Sequence, residues 1–201
     1  PWALHNSSIV FRFLLAVPVI VLLTRFQLGS GSFGHLIEGA GEWSARLLIA
    51  ALCVTPLRMI FRGQHWPLWL FRRRRDLGVA AFLYALLHLA AYALKRGNPG
   101  LILADFGSPG IVLGWTAFAC MLVPFALSNE AALRRLGTRW KPIQRLVYIA
   151  AGAVLAHWIW LKANHLSAFI HFIPLLLLEA YRVWYSSPVK GGIRAGGSRP
   201  S

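Results

Sequence analysis

The chain has 201 residues, of which 57% are hydrophobic and 13% charged, where a soluble domain carries about a quarter charged residues. With a mean hydropathy of +0.57 it reads as an all-α integral membrane bundle. Two cysteines exclude a disulfide framework, and six acidic residues leave little for hydrolytic or phosphoryl-transfer chemistry.

Six segments are long and apolar enough to cross a core of about 30 Å at about 1.5 Å per residue. They fall near 8–26, 43–61, 77–94, 111–128, 143–161 and 167–184. The first has the length of a signal peptide, but no small-residue cleavage pattern follows it, so it is read as retained. Pro18 predicts a kink inside it, and Thr55-Pro56 loosens the last turns of the second. The third begins after the arginine run 72–75, with Asp76 as its expected cap. The apolar stretch 101–107 is expected to lie along the membrane face. Pro109 opens the fourth segment, Ser128-Asn129 closes it, and Pro142 falls in the first turn of the fifth. Residues 1–185 form one six-helix domain. The Gly/Ser/Pro-rich remainder, 186–201, is expected to be a disordered cytoplasmic tail.

A formal net charge of +15 invites a nucleic-acid reading, and the placement of that charge excludes it. With the amino terminus inside, 16 basic residues fall on the cytoplasmic side and five (Arg25, Arg46, Lys95, Arg96 and Lys162) on the other. This asymmetry predicts both termini in the cytoplasm, and it suits contact with anionic membrane lipid.

An ionisable ring inside a span points to function by default. His88, in FLYALLHLAAYAL, and His157, in IAAGAVLAHWIWL, are two such rings. Both helices run outward, which places the rings roughly 18 and 22 Å from their cytoplasmic ends. Matched depth suits two axial ligands of one haem iron. Ala81, Ala85 and Ala91, and Ala150, Gly152, Ala153 and Ala156, offer small faces beside them. The alternative is that each ring is purely structural, donating one hydrogen bond to a neighbouring carbonyl. His5, His35 and His65 lie in termini or loops, His165 sits at the outer interface, and His171 is the rival ligand. Arg46, one turn inside the outer end of the second span, is placed to pair with a haem propionate.

The stretches TPLR (55–58), RRxLGxxAFxYAxLHxxxY (74–92) and LGxRWxxxxRLVYxxAxxxxxHxxW (136–160) resemble the MsrQ or YedZ family. These are haem-binding membrane subunits of the periplasmic methionine-sulfoxide reductase system, within the ferric-reductase-like six-helix domains. The resemblance implies haem b in the bacterial inner membrane and admits a bound FMN. It further implies electrons from the quinol pool or a cytoplasmic flavin reductase, delivered to a periplasmic molybdenum-containing reductase subunit. Methionine sulfoxide is a reversible lesion whose repair needs such a supply. The family usually carries a further histidine where this chain has Gln144. Arg74, about four helical turns before His88, stands where four-histidine relatives hold the other inner ligand. One haem per chain is therefore expected, with His88 and His157 as its ligands. Arg74, Arg75, Arg139 and Arg145 suit the anionic phosphate of a flavin, or a quinol, near the cytoplasmic face. The reading is an electron conduit more than an enzyme with its own substrate pocket. A ferric or oxygen reductase, and a haem-free protein with structural histidines, stay open beside it.

Overall fold

The computed structural model describes residues 2–162 and 165–186, with side chains from Ser7 onward. The described residues are overwhelmingly helical and contain no strand: α1 (Trp2–Gln27), α2 (Phe33–Ile60), α3 (His65–Arg72), α4 (Arg74–Arg96), α5 (Pro99–Ala104), α6 (Pro109–Ala126), α7 (Glu130–Leu136), α8 (Trp140–Gln144), α9 (Leu146–Leu161) and α10 (His165–Ser186). Six candidate spans emerge: α1, α2, α4, α6, the α7–α9 run and α10. The all-α six-span expectation holds. The tail 187–201 lies outside the described residues.

Three boundaries differ from the sequence reading. Helix α2 starts at Phe33, well before the expected position near residue 43. Ser32 caps it through its hydroxyl, which accepts from the His35 N–H, while His35 returns a bond to the Ser32 N–H. A capping box usually closes with Glu or Gln, so a histidine there gives no sequence signal. The polar, glycine-rich run GHLIEGAGE is thus helix rather than loop, and Arg46 lies nearly four turns from the start of α2 rather than one. Asp76 does not cap α4. Arg73 holds that position with no side-chain capping bond, and Asp76 instead pairs with Arg12 of α1 at 3.2 Å. The fifth span is broken at Arg145, where i to i−3 bonds from Arg145 to Pro142 and from Tyr148 to Arg145 tighten the chain. The stretch 101–107 folds as the end of α5 and a 3-10 turn, Asp105–Gly107.

In lipid, helices associate by close packing and interhelical hydrogen bonds rather than by hydrophobic burial. The most extensive pairs are α2 with α4 and α6 with α9. Helix α2 forms the centre, with Ala40, Leu52 and Val54 essentially inaccessible. The Ser44 hydroxyl donates to the Ala81 carbonyl at 2.9 Å, joining α2 to α4. Helix α1 is peripheral and turns its apolar side chains outward. It is tied to α4 by Tyr84, whose hydroxyl accepts from the Val19 N–H (2.8 Å) and donates to the Leu15 carbonyl (2.9 Å). That hydroxyl stands between an N–H and the carbonyl four residues earlier, beside Pro18. Helix α4 stops at Gly97, whose φ of +63° is the left-handed value that suits glycine.

Candidate cofactor site

Helices α2, α4, α6 and α9 enclose a cavity of about 420 Å³ near the end of the bundle that carries Lys95 and Lys162. His88 and His157 both line it. Their ring centroids are 6.2 Å apart, with planes at 84°. The depth match read from the sequence therefore brings the two rings together.

Each ring is held at one nitrogen. His88 Nδ1 donates to the Ile37 carbonyl at 2.7 Å, and His157 Nδ1 donates to the Gly110 carbonyl at 2.6 Å. A carbonyl oxygen only accepts, so the proton of each ring is on Nδ1. In the neutral imidazole the Nε2 lone pair is then free, the arrangement found in metal-binding histidines. With their rings 6.2 Å apart and both lining the cavity, His88 and His157 are the residues that would hold a metal-bearing cofactor there. Among the described residues no group of three or more His, Cys, Asp or Glu could hold a bare ion. A macrocycle that brings its own equatorial donors fits this pair better.

The polar groups around the cavity fit such an occupant. Trp158 is buried and lines the cavity, and its indole N–H finds no acceptor. Lys95 and Lys162 line it as well. Lys162 Nζ binds Glu38 (2.7 Å) and Glu42 (2.8 Å). Burial pulls the Lys162 ammonium down, but the two carboxylates outweigh it and its pKa is raised. Arg46 is not among the lining residues. Its guanidinium donates to Glu42 (2.9 Å) and to His171 Nε2 (3.2 Å). His171 also donates from Nδ1 to the Ser167 carbonyl, so both of its nitrogens are occupied, and its ring stacks near Trp158. The rival histidine is thus a packing and hydrogen-bonding residue. His35 serves as a cap, while His65 and His165 begin α3 and α10.

The small faces expected on the histidine helices contribute less than their spacing suggests. Ala85 lines the cavity, but Ala81 and Ala91 are packed away and Gly152 borders open space. Room comes instead from Gly41, Ser44 and Ala45 of α2 and from Gly114 and Ala117 of α6. The rings reach across to carbonyls on those helices, so the close approach is made there.

The four arginines at the other end are not brought into one pocket. Arg74 donates to the Ala51 carbonyl (3.0 Å) and to the Thr55 hydroxyl (3.1 Å). Arg75 is exposed and lines a cleft between α1 and α4 with Arg12 and Asp76. Arg139 and Arg145 are exposed and line neither space. Gln144 Nε2 donates to the Pro124 carbonyl at 3.2 Å.

The chain is similar to known proteins over most of its length. Residues 40–155 match the family described as "Ferric reductase like transmembrane component". The chain is 35% identical over 91% of its length to a protein of Polaromonas naphthalenivorans, covering 87% of that relative. It is 33% identical over its whole length to one of Ralstonia nicotianae, covering 95%. Both are named "Protein-methionine-sulfoxide reductase heme-binding subunit MsrQ". The chain belongs to the MsrQ family of ferric-reductase-like membrane proteins. No solved structure matches it significantly.

Ile37 and Gly110 escape a reading of the sequence, because they act through backbone carbonyls and leave no side-chain signal. Glu38, Glu42 and Lys162 at the cavity escape it too. The alternation of Glu and Gly in EGAGE at the edge of an apolar span is the available hint.

Proposed function

We propose that the protein is a haem b electron-transfer subunit of the inner membrane, with one haem per chain between His88 Nε2 and His157 Nε2. The observation that carries this reading is the pair of adjacent imidazoles, each with Nδ1 bonded to a carbonyl. When bound, haem supplies one-electron redox chemistry. The chain's own residues hold it: α2 and α6 fix the ring orientations, and apolar helices exclude water. The Trp158 N–H, Lys162 and Lys95 are the groups available to propionates. Arg46, expected in that role, supports it indirectly through Glu42.

The MsrQ relatives are named for a protein-methionine-sulfoxide reductase system. On that basis the acceptor is a periplasmic, molybdenum-containing methionine-sulfoxide reductase subunit, reached from the Lys95/Lys162 end. Both termini are cytoplasmic, and the arginine-rich end faces the donor, either a quinol or a cytoplasmic flavin reductase. Of the four arginines there, Arg75, Arg139 and Arg145 remain open to the phosphate of FMN. Arg74 is committed to α2.

The test is an oxidised and dithionite-reduced absorption spectrum of purified variants. His88→Ala and His157→Ala each lose stable haem, while His171→Ala and His35→Ala keep it. A wild-type protein without haem bands, or a normal reduced spectrum in either of the first two variants, refutes the assignment.

A further inference from the structure

The two histidines are seated by the same device on two different helices. The Ile37 carbonyl, which takes His88 Nδ1, lies one helical turn before Gly41. The Gly110 carbonyl, which takes His157 Nδ1, lies one helical turn before Gly114. In an α-helix the carbonyl of residue i already accepts the N–H of residue i+4. A second donor must approach its remaining lone pair past the side chain of residue i+4, and here there is none. A Cβ on Gly41 would stand 2.8 Å from His88 Nδ1 and 3.1 Å from its Cε1. A Cβ on Gly114 would stand 2.8 Å from both Nδ1 and Cε1 of His157. Both approaches are closer than van der Waals contact allows, so the ring would have to shift against its carbonyl.

We propose that Gly41 and Gly114 are positioning residues, each opening a helix carbonyl to the Nδ1–H of an imidazole and so aiming a bare Nε2 into the cavity. The ligand aimed at is the haem iron of the function proposed above, and this inference rests on that reading. The bond has an electronic consequence as well as a geometric one. An Nδ1–H donated to a carbonyl makes the imidazole a more basic ligand, which favours the oxidised iron. Weakening it moves the midpoint potential upward.

The experiment compares Gly41→Ala and Gly114→Ala with Gly78→Ala and Gly152→Ala, where an added Cβ meets nothing within 4 Å. Purified proteins are read by redox titration and by electron paramagnetic resonance of the oxidised haem. The expected result is an upward potential shift and an altered low-spin signal, or haem loss with retained helicity, in the first two variants. The two controls should match wild type. Wild-type potential and spectra in Gly41→Ala and Gly114→Ala would overturn the proposal.

A second measurement does not need those variants to accumulate. Nitrogen-15 shifts of the ring nitrogens in haem-stripped wild-type protein should show the proton on Nδ1 of both histidines, and a proton on Nε2 would overturn the seat. If wild type never carries haem, the proposed function fails, while the nitrogen shifts still decide the seat.

Discussion

Replacing Lys162 with methionine removes a cation that lines the cavity. Its ammonium joins Glu38 and Glu42, and Glu42 continues through Arg46 to His171. Hydrogen bonds to charged groups contribute about 1.5–3 kcal/mol each. These groups are partly exposed, with side-chain exposures of 30% for Lys162, 53% for Glu38 and 26% for Glu42, so screening reduces the total to about 1–3 kcal/mol. At about 2–4 °C per kcal/mol for a chain of this size, Lys162→Met should melt roughly 2–12 °C below wild type. Tryptophan fluorescence reads the helices, and haem absorbance, where present, reads retention of the cofactor. The pH dependence is fixed in sign. The folded Lys162 pKa is raised above 10.5, so its contribution is complete below the unfolded value and is lost as pH rises through the folded one. The gap between the two proteins should therefore be full at neutral pH and close in alkali, as the pH rises through the raised Lys162 pKa. No measurable gap at neutral pH, or a gap that persists unchanged in alkali, would refute the reasoning.

Haem measured as pyridine haemochrome against protein by amino-acid analysis should give a ratio near one, and a ratio near two would show a second site with other ligands. Cysteines placed in the arginine run 72–75 should label from the cytoplasm and one at Lys95 from outside; the reverse pattern would overturn the orientation. Tyr84→Phe removes the hydroxyl that ties α1 to α4 and should cost about 1–3 kcal/mol. Hydrogen exchange at the Val19 amide should rise with it, and unchanged exchange there would contradict the tie.

The spans are legible because a hydrocarbon core demands an apolar length, and the histidine pair because ionisable rings stand out in such a background. Their similar depth agrees with the two rings lying 6.2 Å apart, although neither Asp76 nor Pro142 marks the start of its helix. What the sequence conceals is the beginning of α2. There the helix is opened by Ser32 with a histidine one turn on, and it runs through small and acidic residues that lower local hydropathy. That concealed stretch holds Ile37, Glu38, Gly41 and Glu42, four residues around one ligand and the cavity mouth. Arg46 departs from expectation for the same reason, since its depth follows from where the helix starts. Backbone acceptors and missing Cβ atoms have no composition signature, so the seats of the rings emerge only when helices are placed side by side.

The same two helix pairs are bonded again at the arginine-rich end, at a regular interval. Helix α4 reaches α2 from His88 to the Ile37 carbonyl, and nearer its start from Arg74 to the Ala51 carbonyl. The α8–α9 run reaches α6 from His157 to the Gly110 carbonyl, and nearer its start from Gln144 to the Pro124 carbonyl. On all four elements the two bonding positions are separated by about four helical turns, so at about 1.5 Å per residue the two levels are roughly 20 Å apart. Each level therefore has one side chain donating from the same element to a carbonyl of the same partner. The difference is in what remains after that bond. An imidazole that gives its Nδ1–H keeps a lone pair on Nε2, whereas a guanidinium has no acceptor at all and an amide keeps only a weakly basic oxygen. Arg74 and Gln144 thus make the helix-to-helix bond at this level without offering a metal a nitrogen lone pair. One haem per chain, held at the histidine level, is the stoichiometry this arrangement supports.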